Sequence, residues 1–449
     1  MPARETARAR ASAPITFSRR AVVGWILYDL ANTIFSMGVV SVYFSLYVRE
    51  AVGPQRADSV YGIITAVSMG IIFIVSPLLG AMTDRAPRRM PFLVASTLVC
   101  CGCTALFARG PFAVSALLFI VANAAYQAGV QFYDAMLPEV TTEENRGRIG
   151  GVGVGIGYLG SYIAVGVGLL LRPMNYARYF TIVAALFVIF AVPCVLFVRE
   201  RGNPRPRPIL GAGAVRESTR QTLDTLRQGH RYPGLLRFLV GRVFYTDAVN
   251  TVIAFMSLYT TNVAISTGLG ADAGRQQAGY IMLSAISFAV AGGFAWGWVV
   301  DRIGPKRTLD IVLLLWMAIF GTAAAIGFLR LPLAFLYVVA ALAGLGLGGT
   351  WSADRPYMLR LTPPDRVGEF YGLYGMVGRF SAITGPVLWA ATTWFVVERG
   401  GASELTGQAW AILTLLAMVI ASVVILRPVT DEKRDWNALS TGGKGVGSI

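Results

Sequence analysis

"GAMTDRAPRR" at residues 80–89 and "GWVVDRIGPKR" at residues 297–307 share a glycine, an Asp-Arg pair four positions on and a basic turn, and they lie 217 positions apart. Other polar landmarks repeat at nearly the same offset. "DLANT" at 29–33 returns as "DAVNT" at 247–251, 218 positions on; Asp134 is matched by Asp354 at 220, and Gly147 by Gly368 at 221. Four landmarks with almost one offset divide the chain into two halves of common pattern.

The surroundings of these landmarks are apolar. The 449 residues are 55% hydrophobic and 14% charged, with a mean hydropathy of +0.59. A helix needs about 20 apolar residues to cross roughly 30 Å of hydrocarbon. Twelve windows qualify, near 21–48, 58–80, 90–108, 112–137, 148–171, 177–198, 236–262, 275–300, 306–329, 332–361, 366–396 and 407–427. The net charge of +15 is sorted by side, which argues against a nucleic-acid partner. With a cytoplasmic N-terminus, 28 of the 39 Lys and Arg fall in inner tails and loops, 8 in outer loops and 3 in spans. This bias predicts both ends in the cytoplasm. Three of the 39 are Lys, a usage that points to a GC-rich bacterial genome and an inner-membrane location. The first apolar span lacks a cleavage pattern and is expected to stay as an anchor.

The expected organisation is therefore all-α and integral to the membrane. It comprises a basic cytoplasmic tail (1–20), a six-helix bundle (21–198), a cytoplasmic linker (199–235), a second six-helix bundle (236–427) and a cytoplasmic tail (428–449). Pro204, Pro206 and Pro208 favour an extended start to the linker, and "RESTRQTLDTLRQ" a short surface helix presenting Leu223 and Leu226. The sole histidine, His230, lies in that linker, outside any span. Cys100, Cys101, Cys103 and Cys194 all sit in apolar spans, so neither a disulfide framework nor a metal site is expected.

Two six-span repeats of the same orientation form the layout of major facilitator transporters, with binding between the halves. "GAMTDRAPRR" resembles that superfamily's loop signature, with Pro87 in place of its second glycine; "DRIGPKR" keeps Gly304. Together with "YDLANTIF", "FYDAMLPEVTTEENRGRIGGVGVGIGYLG", "FYTDAVNTVIAF" and "RLTPPDRVGEFYGLYGMVGRFSAITGP", the chain resembles the vacuolar amino-acid effluxer-like family and its bacterial relatives from about residue 20 to 427. "GTWSADRPYML" departs from that family's usual Gln and Ser-Arg-Ser run. The resemblance implies a mechanical latch in Gly80, Asp84, Arg85, Arg88 and Arg89 and in Asp301, Arg302, Lys306 and Arg307. Asp84 or Asp301 would sit at a helix N-terminus.

Polar groups within spans are costly and face water or a partner. Asp29 and Asn32 lie about 60° apart on a helix, with Ser36 continuing the stripe; Asp247 and Asn250 repeat the spacing. The two carboxylates are expected to face one cleft, where binding a cation, taking up protons and merely tying helices together stay open. Asn123, Gln127, Gln131 and Asp134 form a second stripe on a face expected to be wet or bonded to a neighbour, the first three lining the same substrate or coupling cavity. Asp134, Asp354 and Arg355 are expected at a cytoplasmic gate, and Arg379 either grips a substrate carboxylate or pairs with Asp354 or Glu369. "GIGYLG" (155–160) matches G-x-G-x-x-G but lacks a preceding strand, so it reads as close helix packing, as does "GLGLGG" at 344–349.

These features predict a monomeric secondary transporter working by alternating access. It would export a small solute such as an amino acid, with coupling to proton entry left open, and would be neither an enzyme nor dependent on a cofactor or metal. The alternatives are a broad-specificity proton-coupled drug exporter and a non-transporting receptor or scaffold.

Overall fold

A computed structural model describes residues 18–171, 174–203, 206–209, 213, 216–220, 232, 234–380 and 384–432. Pro204, Leu223, Leu226, His230, residues 1–17 and residues 433–449 lie outside the described residues. The described chain is helical. We label the spans α1 (Arg19–Val52), α2 (Pro54–Arg85), α3 (Met90–Ala105), α4 (Phe112–Ala135), α5 (Arg146–Leu170), α6 (Tyr176–Phe197), α7 (Leu235–Ser266), α8 (Ala271–Ile303), α9 (Pro305–Leu329), α10 (Ala334–Arg360), α11 (Val367–Phe380 and Thr384–Trp394) and α12 (Glu404–Leu426). Eleven described spans are long and apolar enough to cross a bilayer; α3, at 16 residues, is shorter than its expected window. Exposed Ile74, Leu117, Leu170 and Val424 suit a lipid surround, where a helix satisfies its own backbone.

The two latch turns are built differently for a steric reason. Ala86 is forced to extended backbone (ψ 153°) ahead of Pro87, which ends α2. The equivalent of Pro87 is Gly304, at φ 89°, a left-handed conformation open to glycine, followed by Pro305 as the first residue of α9. In α1 the α-helix Arg19–Phe35 gives way to a π-helical stretch, Ser36–Tyr43, directly beyond the polar "DLANT". Such stretches occur often at functional sites.

Two seams join the halves: α5 against α8, and α2 against α11. Glycines make both close. Gly151 meets the backbone of Gly293 and Gly297, Gly155 meets Val290 and Phe294, and Gly80 faces the Gly368 carbonyl. Gly153, Gly157 and Gly160 turn instead to α1, against Trp25, Asp29 and Leu30. The "GIGYLG" stretch thus serves two helix contacts, and in "GLGLGG" Gly344 and Gly348 press on α8.

Candidate functional site

At the end bearing residues 18 and 432, the latch is reciprocal. Asp84 at the end of α2 accepts the Gly368 and Glu369 backbone N–H groups at 2.7 and 2.6 Å, at the start of α11 in the other half. Asp301 at the end of α8 accepts those of Gly147 and Arg148 at 2.7 and 3.0 Å, at the start of α5. Each carboxylate occupies the positive end of a helix dipole across the seam. Arg89 adds a 2.7 Å ion pair to Asp84. Its counterpart Lys306 binds Asp310 at 2.5 Å instead, and Arg302 stacks 3.4 Å over Trp298. Arg85 binds Glu217 and Ser218 of the linker, while Arg88 and Arg307 are exposed. Glu217 lies outside the spans, and its hydrogen bond to the Arg85 guanidinium holds its carboxyl below the usual range. The linker is pinned further by Asn203, which donates to the Asp84 carbonyl at 2.7 Å, and by Arg201 on Glu139 at 3.1 Å.

Deeper between the halves, Arg355 of α10 crosses to the N-terminal half, with Nη1 3.4 Å from Asp29 of α1 and Nε 3.0 Å from Asp134 of α4. Asp29 and Asp134 are buried, and the Arg355 side chain is 13% exposed. Trp25 stacks on Tyr133 at 4.5 Å, and Arg355 Cζ lies 5.6 Å from the Tyr133 ring. Tyr371 donates to the Arg355 carbonyl at 3.2 Å. Pro356 follows within α10 and removes one backbone donor there.

Asp354, one residue before, faces the other way and corrects the expectation that it shares the gate. It is fully buried in its own half, bonded to Arg242 Nε at 2.9 Å, Tyr245 at 2.5 Å and Tyr374 at 2.7 Å. Successive residues on a helix diverge by about 100°, so only one of the pair can cross.

Asp247 corrects the expectation of two carboxylates facing one cleft. It accepts from the Thr384 hydroxyl and from the Gly385 N–H at 2.8 Å, both on α11 of its own half. Asn250 is half-buried. Arg379 reaches neither Asp354 nor Glu369: it donates to Ser76 Oγ at 2.9 Å and the Gln127 carbonyl at 2.8 Å, across the α2 seam. Ser381 beside it lies outside the described residues. Gln131 donates to the Ser76 carbonyl at 3.0 Å and Asn123 to Ser68 at 3.0 Å, so two of the four residues of the α4 stripe tie α4 to α2. Asn32 is 5% exposed, and neither atom of its amide has a partner among the described residues.

Ser76, Trp25, Tyr245 and Tyr374 were not singled out from the sequence. Ser76, four residues before Gly80, carried a helical-spacing signal; the aromatic residues carried none beyond composition. Together these contacts close the end bearing residues 18 and 432. The second piece of α11 packs on α12 and α7 of its own half.

Comparison with known proteins agrees with this architecture. A transporter of the MFS type from Bacillus subtilis (YxiO) is 27% identical over 431 residues, covering 91% of this chain and 94% of its own. The human organic anion transporter MFSD10 superposes with a TM-score of 0.67 at 17% identity, over 91% of this chain and 98% of its own. A bacterial homologue of the iron transporter ferroportin in an outward-facing state gives 0.66 at 15% identity, over 91% and 98%. The family model described as vacuole effluxer Atg22 like matches residues 47–437. The chain belongs to that family, a multi-pass membrane transporter of the major facilitator superfamily.

Proposed function

We propose that the chain, as a monomer in a bacterial inner membrane with both ends cytoplasmic, exports a small ammonium-bearing solute such as an amino acid by alternating access. The observation that carries this reading is Arg355, which closes on Asp29 and Asp134 of the opposite half beside two reciprocal helix-capping latches. Contacts of this kind are made in one state and broken in the other, which is what a rocking transition requires. The charge bias of 28 inner against 8 outer basic residues supports the orientation.

Arg379 supports a zwitterionic solute. No carboxylate lies within ion-pair distance of it among the described residues, so a substrate carboxylate can take that place. Asp247 supports proton coupling: held by a hydroxyl and an amide, with no cation in ion-pair distance among the described residues, it can gain a proton without breaking an ion pair.

The test is transport in proteoliposomes under an imposed pH gradient, with a radiolabelled amino-acid mixture and, separately, a cationic dye. Amino-acid movement driven by the gradient, and lost in Asp247→Asn, is expected. Movement of the dye alone would favour the drug-exporter reading, and unchanged coupling in Asp247→Asn would remove Asp247 from it.

A further inference from the structure

The N-terminal half holds more polar capacity around Asp29 than Arg355 satisfies. Asp29 has one cation within ion-pair distance among the described residues, at 3.4 Å, and that guanidinium sits nearer Asp134 at 3.0 Å. Charge-assisted N–H···O bonds are normally about 2.7–2.9 Å, so Asp29 is held loosely and shares its counter-ion. One turn on, Asn32 is buried with both amide atoms unpartnered among the described residues, as is the hydroxyl of Tyr133, whose ring centre lies 5.6 Å from Arg355 Cζ. Orphaned polar groups at such depth are costly and need a reason. Gly153 and Gly157 bring the α5 backbone up to this carboxylate: a Cβ added at either would stand 3.6 or 3.3 Å from Asp29 Oδ2. A carboxylate, an amide, a phenol and a side-chain-free wall all belong to α1, α4 and α5, whereas the cation comes from α10.

We infer that Arg355 is a tethered counter-ion standing where a transported cation binds, and that Asp29 is the carboxylate receiving a free ammonium or guanidinium group. This rests on the alternating-access reading above. When the halves part at this end, Arg355 leaves with α10 while Asp29 and Asp134 stay together, two carboxylates facing the opened cleft without a counter-charge. A solute cation fills that vacancy, helped by the Asn32 amide. When the end closes, Arg355 returns, removes the electrostatic reason for the cation to stay and releases it toward the other side. Loading is thereby confined to one face and release to the opposite one.

The test needs no knowledge of the natural solute. Hydrogen exchange of the latch amides at 146–149 and 367–370 reports closure, because Asp84 and Asp301 hold four of them. In the full-length protein in nanodiscs, millimolar ethylammonium chloride is expected to accelerate exchange of these amides by about tenfold or more by favouring the open state. Sodium chloride at equal ionic strength is expected to leave it unchanged, and Asp29→Asn to abolish the response. In Arg355→Ala the sign reverses: exchange starts fast, and ethylammonium slows it by replacing the missing guanidinium. No effect of ethylammonium on the wild type, or an equal effect on Asp29→Asn, would overturn the inference, even if Arg355→Ala does not fold. Amino-acid transport by a chain lacking this response would refute the inference alone; the response in a chain that moves no amino acid would refute the export reading alone.

Discussion

At the residue scale the adjacent pair Asp354 and Arg355 separates two jobs. Asp354 neutralises Arg242 inside its own half, and Arg355 reaches the other half. Removing one member of a buried ion pair strands the other, at about 3–5 kcal/mol, whereas replacing both with apolar residues is often tolerated. Asp354→Ala is therefore expected to lower the melting temperature strongly, and Arg242→Met combined with Asp354→Leu to recover most of that loss. Equal and additive losses in differential scanning would show that the Arg242–Asp354 pair is not a coupled unit. The direction of each side chain was not legible from the sequence, because two adjacent charges in a span give their spacing but not which neighbour each one meets. Asp247 failed to be read for the same reason: its symmetry with Asp29 is real in the sequence, yet its partners Thr384 and Gly385 lie 137 and 138 positions away.

At the scale of elements the seams depend on backbone approach. Gly151 of α5 touches the Gly293 carbonyl and Gly297 Cα of α8. Gly151→Val drives a branched side chain into backbone, an overpacking penalty of about 1–3 kcal/mol, and because the seam joins the halves the expected result is loss of transport with normal membrane insertion. Unimpaired transport in this variant would show that α5 and α8 need not approach so closely. The linker forms a second element-level contact with its own pH dependence. Because the Glu217 pKa is lowered in the fold, its contact with Arg85 stabilises the closed linker at neutral pH and is lost as pH falls through the lowered value. Limited proteolysis of residues 206–220 is therefore expected to speed up in acid, and Glu217→Gln to show the fast rate already at neutral pH. These elements were largely legible beforehand. Glycines at spacings of four announced close packing, and the doubled Asp-Arg turn announced two equivalent positions in the halves. What spacing could not announce was that each latch carboxylate caps a helix of the opposite half, since that depends on how the halves dock.

At the scale of the whole molecule, two parallel six-helix repeats are closed at one end by two seams, two crossed helix caps and two crossing arginines, Arg355 and Arg379. The twelvefold apolar pattern and the near-constant offset between landmarks made that architecture readable, because membrane spanning restricts the chain to helices and duplication fixes their order. Which end is closed was not readable, because it depends on a few contacts between the halves whose partners lie far apart along the chain. The central claim is that this closed end opens as the other shuts. The most direct measurement is the distance between spin labels at exposed Pro87 and Asp365 across the closed end, paired with labels at Gln55 and Thr267 across the other. The account predicts two distance populations in each pair, shifting in opposite directions when Arg355 is replaced by alanine: longer at Pro87–Asp365, shorter at Gln55–Thr267. A single unchanged distance in both pairs, or both ends lengthening together, would contradict it.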